Sequence, residues 1–321
     1  MSRIGTSSVV FVTLSGLFWG GWVVGSQTPQ GQEALADAYE AYAAQQSAVN
    51  EDLFAPDALR ALVCGDNGPV AEGARPCLAV AAAGRLFIVD AGSGASSALS
   101  RRNVPLGHLE AVLLTGGDFT RGADLDELFV AYSRTDNALL PVYGPADAQR
   151  MVEGLNQAAG LDGATRGLQA WGPAPEPGRS VIVFEGDGLV VSAFTTQEDA
   201  FHGRVGYRFD YHGRSLVVAG DGRAEWASAA ADADVVLHSA QTRSLAHLHQ
   251  EGGATIAEVA AEARRANAGT VVLSSASSNS LAAAMQVREA RAAGLNDVVA
   301  AREGMLLELP LANHEVNVRP L

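Results

Sequence analysis

From about residue 57 the chain alternates short apolar runs with amphipathic stretches. The runs Ala61–Cys64, Cys77–Ala81 and Arg85–Asp90 are brief, rich in Leu, Val, Ile and Ala, and bounded by Gly, Pro, Asn or Asp. That pattern predicts buried strands. Ala111–Thr115 and Leu140–Gly144 read the same way, with helices predicted over Ser96–Arg102, Asp124–Arg134 and Ala146–Ala159. Trp171, Pro173, Pro175 and Pro177 punctuate Leu168–Arg179, which reads as a surface excursion. A second half then repeats the grammar. Strands are predicted at Val181–Glu185, Leu189–Thr195, Tyr207–Tyr211 and Ser215–Ala219, with His212-Gly213 as the turn between the last two. Helix Glu225–Ala231 leads to strand Val235–His238, helix Thr255–Ala266 to strand Thr270–Ser274, and helix Leu281–Ala293 to strand Met305–Leu309. No low-complexity linker divides the halves. Two strand-then-helix halves of similar size predict an α/β fold of two sheets packed face to face with helices outside.

The N-terminal region differs. No charge falls between Arg3 and Glu33, and the apolar part, roughly Val9–Val24, is long for a signal-peptide core and short for a membrane span. Val24-Gly25-Ser26 fits a cleavage site. Residues 1–26 are therefore read as a cleaved signal peptide or a retained membrane anchor, with a buried helix of the domain as a third reading. Either leading reading exports the rest to the periplasm, the cell exterior or the outer face of the membrane. Residues 27–56 form a helical segment, in which Leu35, Tyr39 and Tyr42 make an apolar stripe within Glu33–Val49. Residues 57–321 form the main domain.

Composition narrows the function classes. At 48% apolar and 18% charged residues, the 321-residue chain is globular. Its formal net charge is −14, and no basic run exceeds two residues (Arg101-Arg102 and Arg264-Arg265). Nucleic-acid binding draws most of its affinity from phosphate neutralisation, so a nucleic-acid partner is disfavoured. Membrane contact is expected only through the N-terminal segment. The two cysteines, Cys64 and Cys77, flank the turn-rich GDNGPVAEGARP. They either face each other across a hairpin as a disulfide, in an oxidising compartment, or are two small buried thiols. One such pair alone is no zinc signature.

Several ordered segments resemble the metallo-β-lactamase fold, in the branch of ribonuclease Z and the arylsulfatase-like hydrolases. Gly65–Pro69 resembles its first glycine-rich turn, Phe87–Gly92 its DAG strand end, and Leu140–Pro145 its VYGP segment. Val152–Asn156 resembles the start of its insert, and GYRFDYHGRSLVVAGD, Gly206–Asp221, its paired strands almost unbroken. The resemblance runs from about Ala61 to Leu309. It implies an αββα four-layer sandwich of two mixed sheets. It also implies two divalent metals, held by a His-rich loop, a His on a later strand, an Asp after the paired strands and a final His.

Position by position, most of the ligands are missing. Within LLTGGDFTRGADL, the first His of the family falls on Gly116, the second on Asp118, the loop Asp on Thr120 and the third His on Arg121. The late-strand His falls on Glu198 or Ala200, with His202 out of register unless the loop is shortened. Asp221 matches, the following Thr is Gly222, and the final His falls on Ser275. Asp118 could ligate a metal, cap a helix or pair with Arg121. An arginine is always cationic, so Arg121 is expected to neutralise Asp118 and Asp221 in place of a cation.

Other residues offer less. His238 stands where the family has a histidine turn, and is read either as a proton donor or as a satisfied strand-end histidine. His247 and His249 lie near a family catalytic histidine, out of step, and read equally as a solvated turn. Ser274, Ser275, Ser277 and Ser278 have no nucleophile-elbow sequence beside them. The expected function is an exported protein of this fold that has lost the binuclear site and its hydrolysis. It would need no cofactor, and would bind a small molecule or an envelope protein in the old cleft or serve as a scaffold, with Trp171 and the Pro-rich excursion either lining the cleft or forming a structural cap. The alternative is a hydrolase of esters or phosphodiesters with a reduced zinc or manganese site. Asp221, His202 and Asp118 would hold that metal, and His238 or His249 would donate the proton.

Overall fold

The computed structural model describes residues 28–34, 36–37, 40, 52–65, 75–135, 137–173, 175–197, 203–222, 226–240, 254–274 and 280–321. It comprises two compact units, residues 1–52 and 53–321. In the first, residues 29–34 are helical, starting earlier than the apolar stripe suggests, and Thr28 Oγ1 accepts from Gly31 N at 3.1 Å. The proposed export segment, 1–26, lies outside the described residues. Among those residues no helix is long and apolar enough to cross a membrane.

The second unit holds two mixed sheets. Among the described residues the first has eight strands, in spatial order β15-β14-β1-β2-β3-β4-β5-β6. These are β1 (Ala58–Val63), β2 (Leu78–Ala82), β3 (Arg85–Val89), β4 (Leu109–Leu113), β5 (Leu139–Tyr143), β6 (Gly167–Trp171), β14 (Met305–Pro310) and β15 (Asn317–Pro320). The second sheet runs β13-β12-β11-β10-β9-β8-β7. Its strands are β7 (Ser180–Gly186), β8 (Leu189–Gln197), β9 (Arg204–Tyr211), β10 (Arg214–Gly220), β11 (Val235–Ser239), β12 (Thr270–Ser274) and β13 (Val298–Ala300). Strands β3 to β6 are mutually parallel, as are β10 to β13, and the remaining pairs are antiparallel.

Period-two alternation sorts the side chains into layers. On β3, Phe87 and Val89 join the core between the sheets, while Leu86 and Ile88 face the outer helices. On β10, Leu216 and Val218 point between the sheets, and Val217 and Ala219 point outward. Helices α1 (Ala95–Arg101), α2 (Phe119–Gly122), α3 (Leu125–Ser133) and α4 (Ala146–Ala159) belong to the first sheet. Their Leu99, Leu128 and Val152 are buried in its outer core. Helices α5 (Ile256–Arg265) and α6 (Ser280–Ala292) cover the second sheet, with Ile256, Val259 and Ala290 buried against it. A Thr255–Glu258 capping box starts α5. The architecture is the expected four-layer sandwich.

Some elements depart from expectation. Leu168–Arg179 is not wholly an excursion. Leu168 is buried, so Gly167–Trp171 pairs in parallel with β5, and the irregular stretch starts only at Gly172. The described part of Glu225–Ala231 forms turns, not a helix. Trp226 is fully buried and pins the segment to the core, and the left-handed Asp232 (φ 53°) ends it. Strand β15 was not expected because its residues are all exposed and carry no apolar alternation. The His212-Gly213 turn has φ of 47° and 85°, the double positive-φ turn that suits a twisted hairpin.

Cys64 and Cys77 form a disulfide, with Cα atoms 4.9 Å apart. Cys64 N and Gly65 N both donate to Cys77 O at 3.0 Å, which holds the two strand ends together.

Candidate functional site

The site lies where the ends of strands from both sheets meet. Strand β3 ends in Asp90 at φ 57°, and Asp90 N donates to Leu113 O at 2.9 Å, so the Asp90 carboxylate sits beside the loop that follows β4. Thr115 closes that contact, donating through N to Asp90 Oδ1 (2.8 Å) and through Oγ1 to Oδ2 (2.7 Å). From the second sheet, Val205 N at the start of β9 donates to Thr115 O at 3.0 Å. That bond brings Arg204 over the same loop. Tyr207, two residues on, reaches across to donate to Leu114 O at 3.0 Å.

Among the described residues, five charged side chains converge there. Arg121, on α2, reaches three carboxylates with three different nitrogens. Nη1 lies 3.1 Å from Asp90, Nε 2.9 Å from Asp118, and Nη2 2.7 Å from Asp221. Its Nη1 also donates to Thr115 Oγ1 at 2.6 Å. Asp118 caps α2 by accepting from Thr120 N at 3.1 Å, and takes a second guanidinium, Arg204 Nη1, at 2.7 Å. Arg204 Nε lies 3.8 Å from Asp221. Arg121 and Asp90 are buried, with side chains 8% and 5% exposed, whereas Asp118 and Asp221 are 38% and 34% exposed.

The electrostatics follow from this burial. Desolvation works against charge on Arg121, but Asp90, Asp221 and Asp118 outweigh it and raise its pKa further, so the guanidinium is permanently charged. Burial pushes Asp90 up, against the pull of Arg121 and the two Thr115 donors. Burial acts the same way on Asp118, but Arg121, Thr120 and Arg204 prevail and hold that carboxyl at about 2.

Among the described residues, this donor set does not fit a two-metal centre. A Cβ added at Gly116, the position the resemblance gives to the first histidine, would lie 2.3 Å from Arg204 Nη1 and 2.9 Å from Arg121 Nε. The arginines fill the space a ligand side chain there would need. The carboxylates point at guanidinium nitrogens, which carry charge but offer no lone pair to a metal. Among the described residues, no three His, Cys, Asp or Glu side chains are grouped to hold a metal ion.

The sequence-derived candidates are thus distributed unevenly. Asp118 and Asp221 are brought together. His238 is fully buried; its Nδ1 lies 2.7 Å from Ser239 O and its Nε2 3.1 Å from Gly222 O, with the Trp226 ring alongside. Burial lowers its pKa. A neutral imidazole donates to one of these carbonyls, and the fully buried ring faces no solvent. His202, His247, His249 and Ser275 lie outside the described residues. Trp171 stacks on Tyr143, ring centroids 6.3 Å apart, and is half-exposed. Two members of the cluster were not assigned a role from sequence, Arg204 and Asp90. The signal for Asp90 was its place at a strand end beside the loop. Arg204 had none, because its approach depends on the contact between sheets.

No family model matches the chain. It is 30% identical to a ribonuclease Z from Mycobacterium sp. (strain KMS) over 230 residues, covering 65% of this chain and 80% of that protein. Its fold resembles the metallo-β-lactamase fold protein YhfI from Bacillus subtilis, with a TM-score of 0.61 and 20% identity over 78% of this chain and all of that one. It resembles human tRNase Z, short form, equally well (TM-score 0.61, 16% identity, 78% of this chain and 99% of the other).

Proposed function

The chain belongs to the ribonuclease Z family of the metallo-β-lactamase fold, and on that premise we propose that it has exchanged two-metal hydrolysis for a binding or scaffolding role. The observation that carries this reading is Arg121, whose guanidinium contacts Asp90, Asp118 and Asp221 at once. In a two-metal hydrolase, carboxylates and imidazoles orient cations that generate the attacking hydroxide. Here two fixed, unreactive cations, Arg121 and Arg204, offset part of the charge of the three carboxylates. They supply neither a Lewis acid nor a nucleophile. The site can still hold two strand ends together, and through the exposed edges of Asp118, Asp221 and Arg204 it can offer a polar partner both signs of charge.

Export of the domain is part of the proposal. The uncharged N-terminal stretch and the Cys64–Cys77 disulfide both suit an oxidising compartment outside the cytoplasm. The partner would be a small molecule or an envelope protein, and the net charge of −14 argues against RNA in that role.

A second reading is favoured by the survival of Asp118 and Asp221, the more exposed carboxylates of the cluster. A hydrolase with one metal would use them, with Arg204 swung aside and His202 as a third ligand. The test is metal analysis of the purified full chain after incubation with zinc or manganese, alongside hydrolysis of a generic phosphodiester. The proposal expects no retained metal, no hydrolysis and no effect of chelator on the melting temperature. Stoichiometric metal with hydrolysis, both lost in Asp221→Ala, would replace it with the second reading.

A further inference from the structure

A groove of about 540 Å³ lies between α6, strand β13 at the open edge of the second sheet, and the start of β14. Its floor is apolar, with Val287, Val298 and Met305 among the lining side chains. Its charged lining consists of Arg288, Arg291 and Arg302, with no acid among them.

These arginines are unusual for this chain. Acidic residues outnumber basic ones by 36 to 22, and most other described arginines are paired with carboxylates: Arg60 with Glu308, Arg85 with Glu110, Arg208 with Asp210, Arg214 with Asp234. Arg288, Arg291 and Arg302 are exposed and make no ion pair or hydrogen bond through their side chains among the described residues. Glu289, on the same helix, does not line the groove, and the flanking acids Glu303 and Asp297 are committed elsewhere. Glu303 is shared by Arg101 (2.9 Å) and Arg102 (2.8 Å), and Asp297 accepts from Thr270 Oγ1 at 2.7 Å. Three like charges around one apolar groove repel each other and gain nothing from the fold. An anion would relieve them, and a guanidinium suits a carboxylate or phosphate through paired N–H donors.

An anionic head at the arginines and an apolar tail laid against Val287, Val298 and Met305 would satisfy both halves of the groove. We propose that this groove is a binding site for a single-chain anionic amphiphile, a molecule with a phosphate or carboxylate head and a medium-length alkyl tail. The site uses none of the residues of the arginine–aspartate cluster, and its occupancy does not depend on whether that cluster performs chemistry.

The test is calorimetric titration of the full chain with decyl phosphate below its micelle concentration. Saturable binding at one site is expected, weakening about tenfold for each guanidinium removed in Arg288→Gln, Arg291→Gln and Arg302→Gln. Ala284→Phe, at an exposed groove position, should block the site without touching a charge. Inorganic phosphate and decyl maltoside should each bind far more weakly, the first lacking the tail and the second the charge. The proposal is overturned by no binding to the wild-type chain, by unchanged binding in the triple arginine variant, or by equal binding of inorganic phosphate or decyl maltoside. Binding only to anionic vesicles, or only to an RNA oligonucleotide, would overturn it equally, reassigning the arginines to a membrane surface or to nucleic acid.

Discussion

Arg121 Nη2 lies 2.7 Å from Asp221 Oδ2, and the contact joins the loop region of one sheet to the strand end of the other. Asp221 follows β10 of the second sheet, while Arg121 also holds Asp90 at the end of β3 in the first. One side chain thus fastens both halves of the sandwich. A guanidinium can do this because its planar fork presents donors in three directions and never loses its charge.

Removal of that cation is expected to be costly. Arg121→Ala leaves Asp90 buried with only the Thr115 donors, and breaking a buried pair from one side costs about 3–5 kcal/mol. Chemical denaturation of the variant should show that loss, and Asp90→Ala added to it should recover part of the stability. A variant as stable as the wild type would show that the cluster contributes nothing to holding the sheets.

Gly116 offers a finer probe. The nearest atoms to an added Cβ are Arg204 Nη1 at 2.3 Å and Arg121 Nε at 2.9 Å. Arg204 is the more easily displaced, being a quarter exposed, whereas Arg121 is held by three carboxylates. Gly116→Ala should therefore displace Arg204 from Asp118 at a cost of about 1–3 kcal/mol. A crystal structure of the variant with Arg204 still on Asp118 would contradict this.

The pH response of Asp118 has a definite sign. Its folded pKa, about 2, is below its ordinary 3.8, so the folded state favours the ionised form. The stabilisation is complete above 3.8 and is lost as pH falls through about 2. A carboxyl-detected NMR titration should find this midpoint, and Arg204→Ala should move it upward. An Asp118 midpoint at its ordinary value in the wild type would mean that the two guanidinium contacts do not form in solution.

The disulfide closes a loop with a sequence separation of 13. Reduction, or Cys64→Ser with Cys77→Ser, should lower stability by about 3 kcal/mol, chiefly by freeing the unfolded chain. Denaturation with and without reductant measures it, and equal midpoints would show that the two cysteines are not joined.

Much of the layer order was legible from local pattern. Val217 and Val218 could be assigned to opposite faces because a strand alternates with period two, and α4, Ala146–Ala159, was readable to its ends because proline precedes it and glycine follows. Strand β15 was not readable, since an exposed edge strand is held by backbone bonds to β14 and leaves no apolar signature.

The sequence by itself determined that the loop Gly116–Arg121 carries no imidazole and does carry a guanidinium, because side-chain identity needs no coordinates. It also determined that two strand-rich halves would pack into a sandwich, since hydrophobic alternation dictates which faces must be buried. Only the tertiary structure decided that Arg121 meets three carboxylates and that Arg204, 83 positions further along the chain, shares one of them. The reason is that ion pairs between distant segments depend on the register and packing of the two sheets. Here the hydrogen bond from Val205 to Thr115 sets that packing, and no local pattern encodes it.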